Sequence, residues 1–217
     1  MDTMNIETLH QFSFEYLLKK NQYYVEKYNE NMLMKFIYGN QTSNTEMRRR
    51  LLDGIQVFSN YFQKVVALRN VFSETPKFCE VTEEHLAEEL GHNLALMKDR
   101  GNRDCAWDAV LDATSAWFTW KMFVLNDEEK TVLIHLVLET SANVFFRQAH
   151  KVMSHYGETN YFKIHSEADD KHEQMGKVLL KNLSQEKYAR LLEVQKQGWD
   201  MLNAMCKRIA ELAIGLS

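Results

Sequence analysis

A single proline and eight glycines in 217 residues leave few places where the chain must turn. These two residues are the main punctuators of regular structure. Their scarcity argues for long helices and against a strand-and-turn protein. Cysteine is scarce too: Cys79, Cys105 and Cys206 stand far apart, with no Cys-x-x-Cys pair. That argues against a thiolate zinc site or a dithiol redox pair. The odd count, with no basic-then-apolar leader at the N-terminus, fits a reducing compartment, so a cytoplasmic protein is expected. There is no excess of positive charge; the formal net charge is −4. Nothing here attracts nucleic acid, and the run Arg48-Arg49-Arg50 reads as a solvated helix face. Long apolar runs are missing as well. The most apolar, residues 131–138, is too short to span a bilayer and is followed at once by Glu139.

What remains is an ordinary globular composition, 45% apolar and 26% charged. The length suits one domain over residues 1–217, with no linker or repeat to divide it. The expected fold is all-α, a single bundle of about seven helices. An aromatic-rich first helix, possibly broken near Asn21, should end at Tyr38-Gly39-Asn40. A second runs from about Thr45 to Ser73 and stops at Thr75-Pro76. A third starts at Thr82 as N-cap and carries His85, Glu88, Glu89 and His92. After a polar turn at residues 98–104, a fourth helix with Trp107, Trp117 and Trp120 reaches Val124. Cys105, near its start, is a candidate for a lowered thiol pKa or for a small buried side chain. Asn126 and Glu129 form a capping-box pattern for the fifth, which runs to about His155. A sixth spans about Thr159 to Asn182, and Ser184 caps a seventh reaching about Leu212.

The chemistry-bearing residues lie on the third, fifth and sixth of these helices. On the sixth, His165, Asp169 and His172 stand at i, i+4 and i+7 and share a face with Phe162, Ala168, Leu179 and Leu183. That stripe should point inward. Two imidazoles and a carboxylate there are costly unless something satisfies them. A metal ion satisfies all three; a polar network is the alternative. Glu139 is the one acid between Lys130 and Gly157 on an otherwise apolar helix. It needs either a partner such as Arg147 or a metal. On the third helix, Glu89-x-x-His92 is a carboxylate–imidazole pair, with Glu89 rather than Glu88 expected inward. Gly91 inside that helix signals a close approach by something else. Carboxylates and imidazoles without thiolates suit iron or manganese. Helix bundles build two-metal sites from such pairs. The expected metal set is therefore Glu89, His92, Glu139, His165, Asp169 and His172. A zinc hydrolase would need fewer ligands.

The sequence resembles the heme-oxygenase-like diiron oxidases and, within them, the CADD-like proteins (Chlamydia protein associating with death domains). The resemblance rests on Tyr161-Phe162 followed by His165, Glu167-Ala168-Asp169 and His172, on Glu139 upstream, and on residues 86–91 around Glu89. It implies a dinuclear iron or iron/manganese cofactor, O2 as co-substrate, a small-molecule substrate and a homodimer. Tyr161, one turn before His165, is a candidate catalytic residue, as an oxidisable tyrosine or one that supports the ligands; the alternative is a core tyrosine. The sequence departs from the pattern in two places. The family spacing Glu-x6-His, counted from Glu89, lands on Leu96. Either His92 replaces that ligand, or His85-x6-His92 keeps the spacing and changes the first one. The resemblance to CADD also implies a self-sacrificing lysine about ten residues after the middle ligand. Ala149 stands there, with Lys151 off register, so p-aminobenzoate formation is not carried over. The expected function is an O2-activating oxidase or oxygenase. The alternatives are a metal-independent enzyme similar to thiaminase-II or a cofactor-biosynthesis enzyme of the same fold, or a partner-binding protein with a relic site.

Overall fold

The most apolar stretch of the sequence becomes the centre of the molecule. Val132–Glu139 is wound as a π-helix, and every one of its side chains is buried. In the computed structural model, which describes residues 12–157 and 160–216 and leaves aside the side chains of residues 167–173, α-helices surround this segment. They are α1 (Phe14–Asn29), α2 (Met32–Tyr38), α3 (Thr45–Val71), α4 (Pro76–Glu89), α5 (His92–Asp99), α6 (Ala109–Val124), α7 (Asp127–Thr131), α8 (Thr140–Met153), α9 (Asn160–Gln174) and α10 (Gln185–Ile214). The α7, π and α8 segments run on as one rod, with helical backbone at both joins. The long α10 packs on α3, α6 and the π segment. Gly198 permits that contact, because a Cβ there would stand 2.6 Å from Leu133 Cδ1 and 3.1 Å from Val137 Cγ2. No described helix is long and apolar enough to cross a membrane.

The seven expected rods are present, but several breaks fall elsewhere. Asn21 does not interrupt α1. It is buried and ties three helices together, accepting from Trp199 Nε1 at 3.0 Å and Gln195 Nε2 at 3.1 Å, and donating to Thr140 Oγ1 at 3.4 Å. The break comes at Glu30-Asn31, where the Asn31 side chain caps α2 by accepting from the Met34 backbone N–H at 2.8 Å. Pro76 is a start rather than a stop. It occupies the first turn of α4, where a missing N–H costs nothing. Thr82 therefore lies inside that helix, its hydroxyl donating to Cys79 O at 2.9 Å. The fourth rod begins late, at Ala109, with Asp108 as its cap. The sixth ends at Gln174, and a 3-10 turn, Lys177–Leu180, follows. Leu179 and Leu183 therefore lie beyond the helix whose inward stripe they were expected to continue.

Asp127 joins two distant parts of this frame. Its carboxylate accepts from the backbone N–H groups of Glu74 at 3.2 Å and Thr75 at 3.0 Å, and from the Ser73 hydroxyl at 3.1 Å. The entrance of α4 is thereby held against the foot of the π-containing rod. This contact sets how residues on α4 meet Glu139.

Candidate metal centre

The third rod breaks at Leu90-Gly91, so the Glu-x-x-His pair straddles a kink. Glu89 is the last residue of α4 and His92 the first of α5. Gly91 has φ of +90°, a left-handed conformation that a side chain would strain. A residue of α3 closes the gap in the ladder. Gln63 Oε1 accepts from the Gly91 N–H at 2.8 Å, and its Nε2 donates to the Glu89 carbonyl at 2.9 Å. Across the kink, Glu89 Oε2 and His92 Nδ1 are 3.1 Å apart. His85, the alternative first ligand, lies one turn before Glu89 on α4. It is 1% exposed, and its Nε2 lies 3.1 Å from Glu139 Oε1.

These side chains form two groups of possible ligands that share one carboxylate. His85, Glu89 and Glu139 make the first; Glu89, His92 and His165 make the second. Within each group the ligand atoms all lie within 4.8 Å of one another. Glu89, Glu139 and His165 are buried and His92 is half-buried. Asp169 and His172, the other two expected ligands, fall among the side chains outside the described residues. Leu96, where the family spacing puts a histidine, is fully buried in the core. Ala149 is buried in the same core, while Lys151 is exposed.

Each histidine is oriented by its second nitrogen. His165 Nδ1 lies 2.8 Å from the Tyr161 carbonyl, one turn back on α9. Donating there leaves Nε2 with a free lone pair, as a metal-binding imidazole requires. Burial pushes the His165 pKa down, against the pull of Glu89 and that carbonyl, so the ring is held neutral. Phe146 stacks on it at 4.4 Å between centroids, and the Tyr161 ring lies at 4.2 Å. Asp99, the last residue of α5, accepts from the Tyr161 N–H at 2.9 Å and so ties the His92 helix to the His165 helix.

His85 is held differently. Arg69 on α3 is fully buried, with Nη1 3.4 Å from His85 Nδ1 and Nη2 3.4 Å from Thr131 Oγ1. A guanidinium only donates. The contact therefore makes Nδ1 the acceptor and leaves the ring proton on Nε2, aimed at Glu139. Burial lowers the Arg69 pKa to about 10, with Glu139 and Asp127 acting to raise it. Sequence reading missed Arg69 and Gln63, because neither a lone arginine nor a lone glutamine on a helix face distinguishes itself from a solvated one.

The site opens on a cavity of about 90 Å³. Glu89, Glu139 and His165 form part of its wall, with Tyr161 beside them; most of the rest is apolar. Cys105 lies elsewhere and is not at a helix start. Burial raises its thiol pKa, against the pull of Arg100, which corrects the expectation of a lowered one.

The helical order and shape define a heme oxygenase-like fold. A domain of unknown function with that fold from Shewanella denitrificans OS217 superposes with a TM-score of 0.69 over 100% of this chain and 97% of the other, at 14% identity. A TenA homolog from Pseudomonas syringae pv. tomato superposes with a TM-score of 0.58 over 86% of this chain and 92% of the other, at 10% identity. No family model matches the sequence. The chain belongs to the same family as the uncharacterized protein RP592 of Rickettsia prowazekii (strain Madrid E), to which it is 36% identical over 196 residues, covering 90% of this chain and 94% of that one.

Proposed function

We propose that this chain is a metal-dependent oxidoreductase that uses a dinuclear iron or iron/manganese centre and O2 to oxidise a small molecule. The observation that carries this reading is the pair of ligand groups sharing Glu89, buried at the edge of an apolar cavity. The donor set is carboxylate and imidazole with no thiolate, which suits these metals. A carboxylate common to both groups is the arrangement that two adjacent cations need. His85 and Glu139 would hold one ion, His92 and His165 the other, and Glu89 both. Asp169 and His172, on the same helix as His165, are further candidates. When bound in its reduced state, such a centre supplies the electrons for O2 reduction.

The protein's own residues would do the rest. Glu89 and Glu139 bring negative charge that offsets the cations, and Arg69 balances that charge when the metal is absent. The surrounding Phe146 and Phe62 exclude water. Tyr161, on the cavity wall beside His165, is placed to pass a proton from its hydroxyl to a reacting group there. A thiaminase-like reaction needs an activated cysteine. Cys105 is not among the cavity-lining residues and burial raises its thiol pKa, so the metal-dependent reading is preferred.

The test is elemental analysis after anaerobic Fe(II) loading, followed by O2 uptake, on the native protein and on Glu89→Ala. About two ions per chain, largely lost in the variant, with O2 consumed on mixing, is the expected result. No bound metal and no O2 uptake would end this reading.

A further inference from the structure

The same cavity has a second polar feature, away from the ligand groups. Part of its wall comes from α1 and α10, through Tyr28, Leu202, Met205 and Cys206. Tyr28 is 2% exposed, its ring 5.7 Å from that of Trp199. Its described polar contact is with Cys206 Sγ at 4.0 Å, and in that contact the thiol donates. Such a contact is long and weak, and it leaves the phenol's own O–H for another acceptor. A buried hydroxyl without a good acceptor is costly, and here it lines an empty space. Burial also raises the Tyr28 pKa well above its ordinary value, so the proton stays on the oxygen. Ser59 and Ser141 add hydroxyls to the lining, that of Ser141 donating to the Leu138 carbonyl at 2.8 Å. Among the described residues no lysine or arginine lines the cavity.

We infer that the cavity takes a small, uncharged, mostly apolar molecule with one hydrogen-bond acceptor, which Tyr28 Oη–H grips while the apolar body lies towards Glu89, Glu139 and His165. This rests on the reading of those three residues as the reaction centre. Size limits the guest. At about 90 Å³ the cavity is smaller than the 150 Å³ apolar cavity known to hold benzene, but it is only partly enclosed, so a single small ring reaching into its open side, or a short alkyl chain, is the upper bound. Charge limits it further. Away from the ligand groups the described lining offers a guest only hydroxyls and apolar groups, so a charged group held at Tyr28 would be desolvated without an ionic partner.

Phenol, benzene and benzoate share one ring and differ in polarity, so they make suitable probes. Each is titrated calorimetrically into the full chain, before and after Mn(II) loading, with metal content assayed on the same samples. Before loading, phenol is expected to bind saturably and at least tenfold more tightly than benzoate, and the comparison with benzoate is read there. Tyr28→Phe should weaken phenol about tenfold while leaving benzene within about twofold. Ala142→Leu, which fills the cavity, should abolish binding of both. Benzoate binding as tightly as phenol, an unchanged phenol affinity in Tyr28→Phe, or no saturable binding of either neutral probe would overturn the inference. Phenol binding together with no uptake of Mn(II) on loading would sink the metal centre and leave the cavity assignment standing. Mn(II) bound with no phenol binding would do the reverse.

Discussion

His85 Nε2 lies 3.1 Å from Glu139 Oε1, while the other ring nitrogen faces a buried guanidinium, Arg69 Nη1, at 3.4 Å. The imidazole is therefore clamped between a cation and an anion, with its proton directed at the carboxylate. Ligation through Nε2 would demand the opposite tautomer, with an N–H facing an N–H. The side of the centre built on His85 is thus expected to hold its ion less tightly than the side built on His165, whose Nδ1 donor already has a carbonyl to meet. Mn(II) titration followed by electron paramagnetic resonance should show two unequal steps. Two equal steps would contradict the argument.

Removing the clamp gives a paired expectation. Arg69→Met deletes a buried cation and its contacts with His85 and Thr131. The acceptors left unsatisfied cost about 1–3 kcal/mol, read by urea unfolding of the metal-free protein. The same change frees the His85 ring, so added Mn(II) should recover more stability in the variant than in the native chain. Equal recovery would show that the arginine does not oppose ligation.

The kink at Gly91 offers a second handle on geometry. Gln63→Met retains bulk but removes both hydrogen bonds that bridge the broken ladder. A loss of about 1–3 kcal/mol is expected from the groups left unsatisfied. The larger effect should fall on metal affinity, by about 10-fold or more, because the Glu89–His92 distance depends on that bridge. A variant with lowered stability but native metal affinity would show that the kink holds without Gln63.

Acid stability should depend on Asp127. Burial raises its pKa, but hydrogen bonds from Thr75, Glu74 and Ser73 outweigh this and leave it below the ordinary 3.8. The folded protein thus binds this proton less readily than the unfolded chain. The contribution is fully present above the unfolded value of 3.8 and is lost as pH falls through the lower folded one. Asp127→Asn should flatten the stability profile below about pH 4. An unchanged slope there would refute the assignment.

Cys105→Ala should leave any O2-dependent turnover intact, since the thiol does not line the cavity. Loss of turnover with an unchanged fold, checked by circular dichroism, would revive the nucleophilic alternative.

The helical class was legible because so little in the sequence could stop a helix. The inward Glu89 and the buried Glu139 were legible because each is an acid among apolar neighbours at helical spacing. The breaks were harder to see. Pro76 read as a stop, yet its missing N–H costs nothing in the first turn of a helix, which is where it falls. Asn21 looked like a breaker, yet the partners that satisfy it, Gln195 and Trp199, lie more than 170 positions away. His85 stood in the sequence as one of two candidates for the first ligand. Its role depends on Glu139 and Arg69, which only packing brings to it.

The π-helix has one more consequence, and it concerns descent rather than chemistry. Over Val132–Glu139 the backbone keeps the five-residue step of a π-helix, and the Thr140 hydroxyl that follows donates to the His135 carbonyl at 3.0 Å. Deleting a single residue there would restore an ordinary α-helix and turn all that follows by about 100°. Glu139 would leave the centre and α8 would present another face to α9. Substitutions throughout this apolar rod are open to evolution as long as they stay apolar, but its length is not. Among functional relatives the segment should vary in letters and never in count.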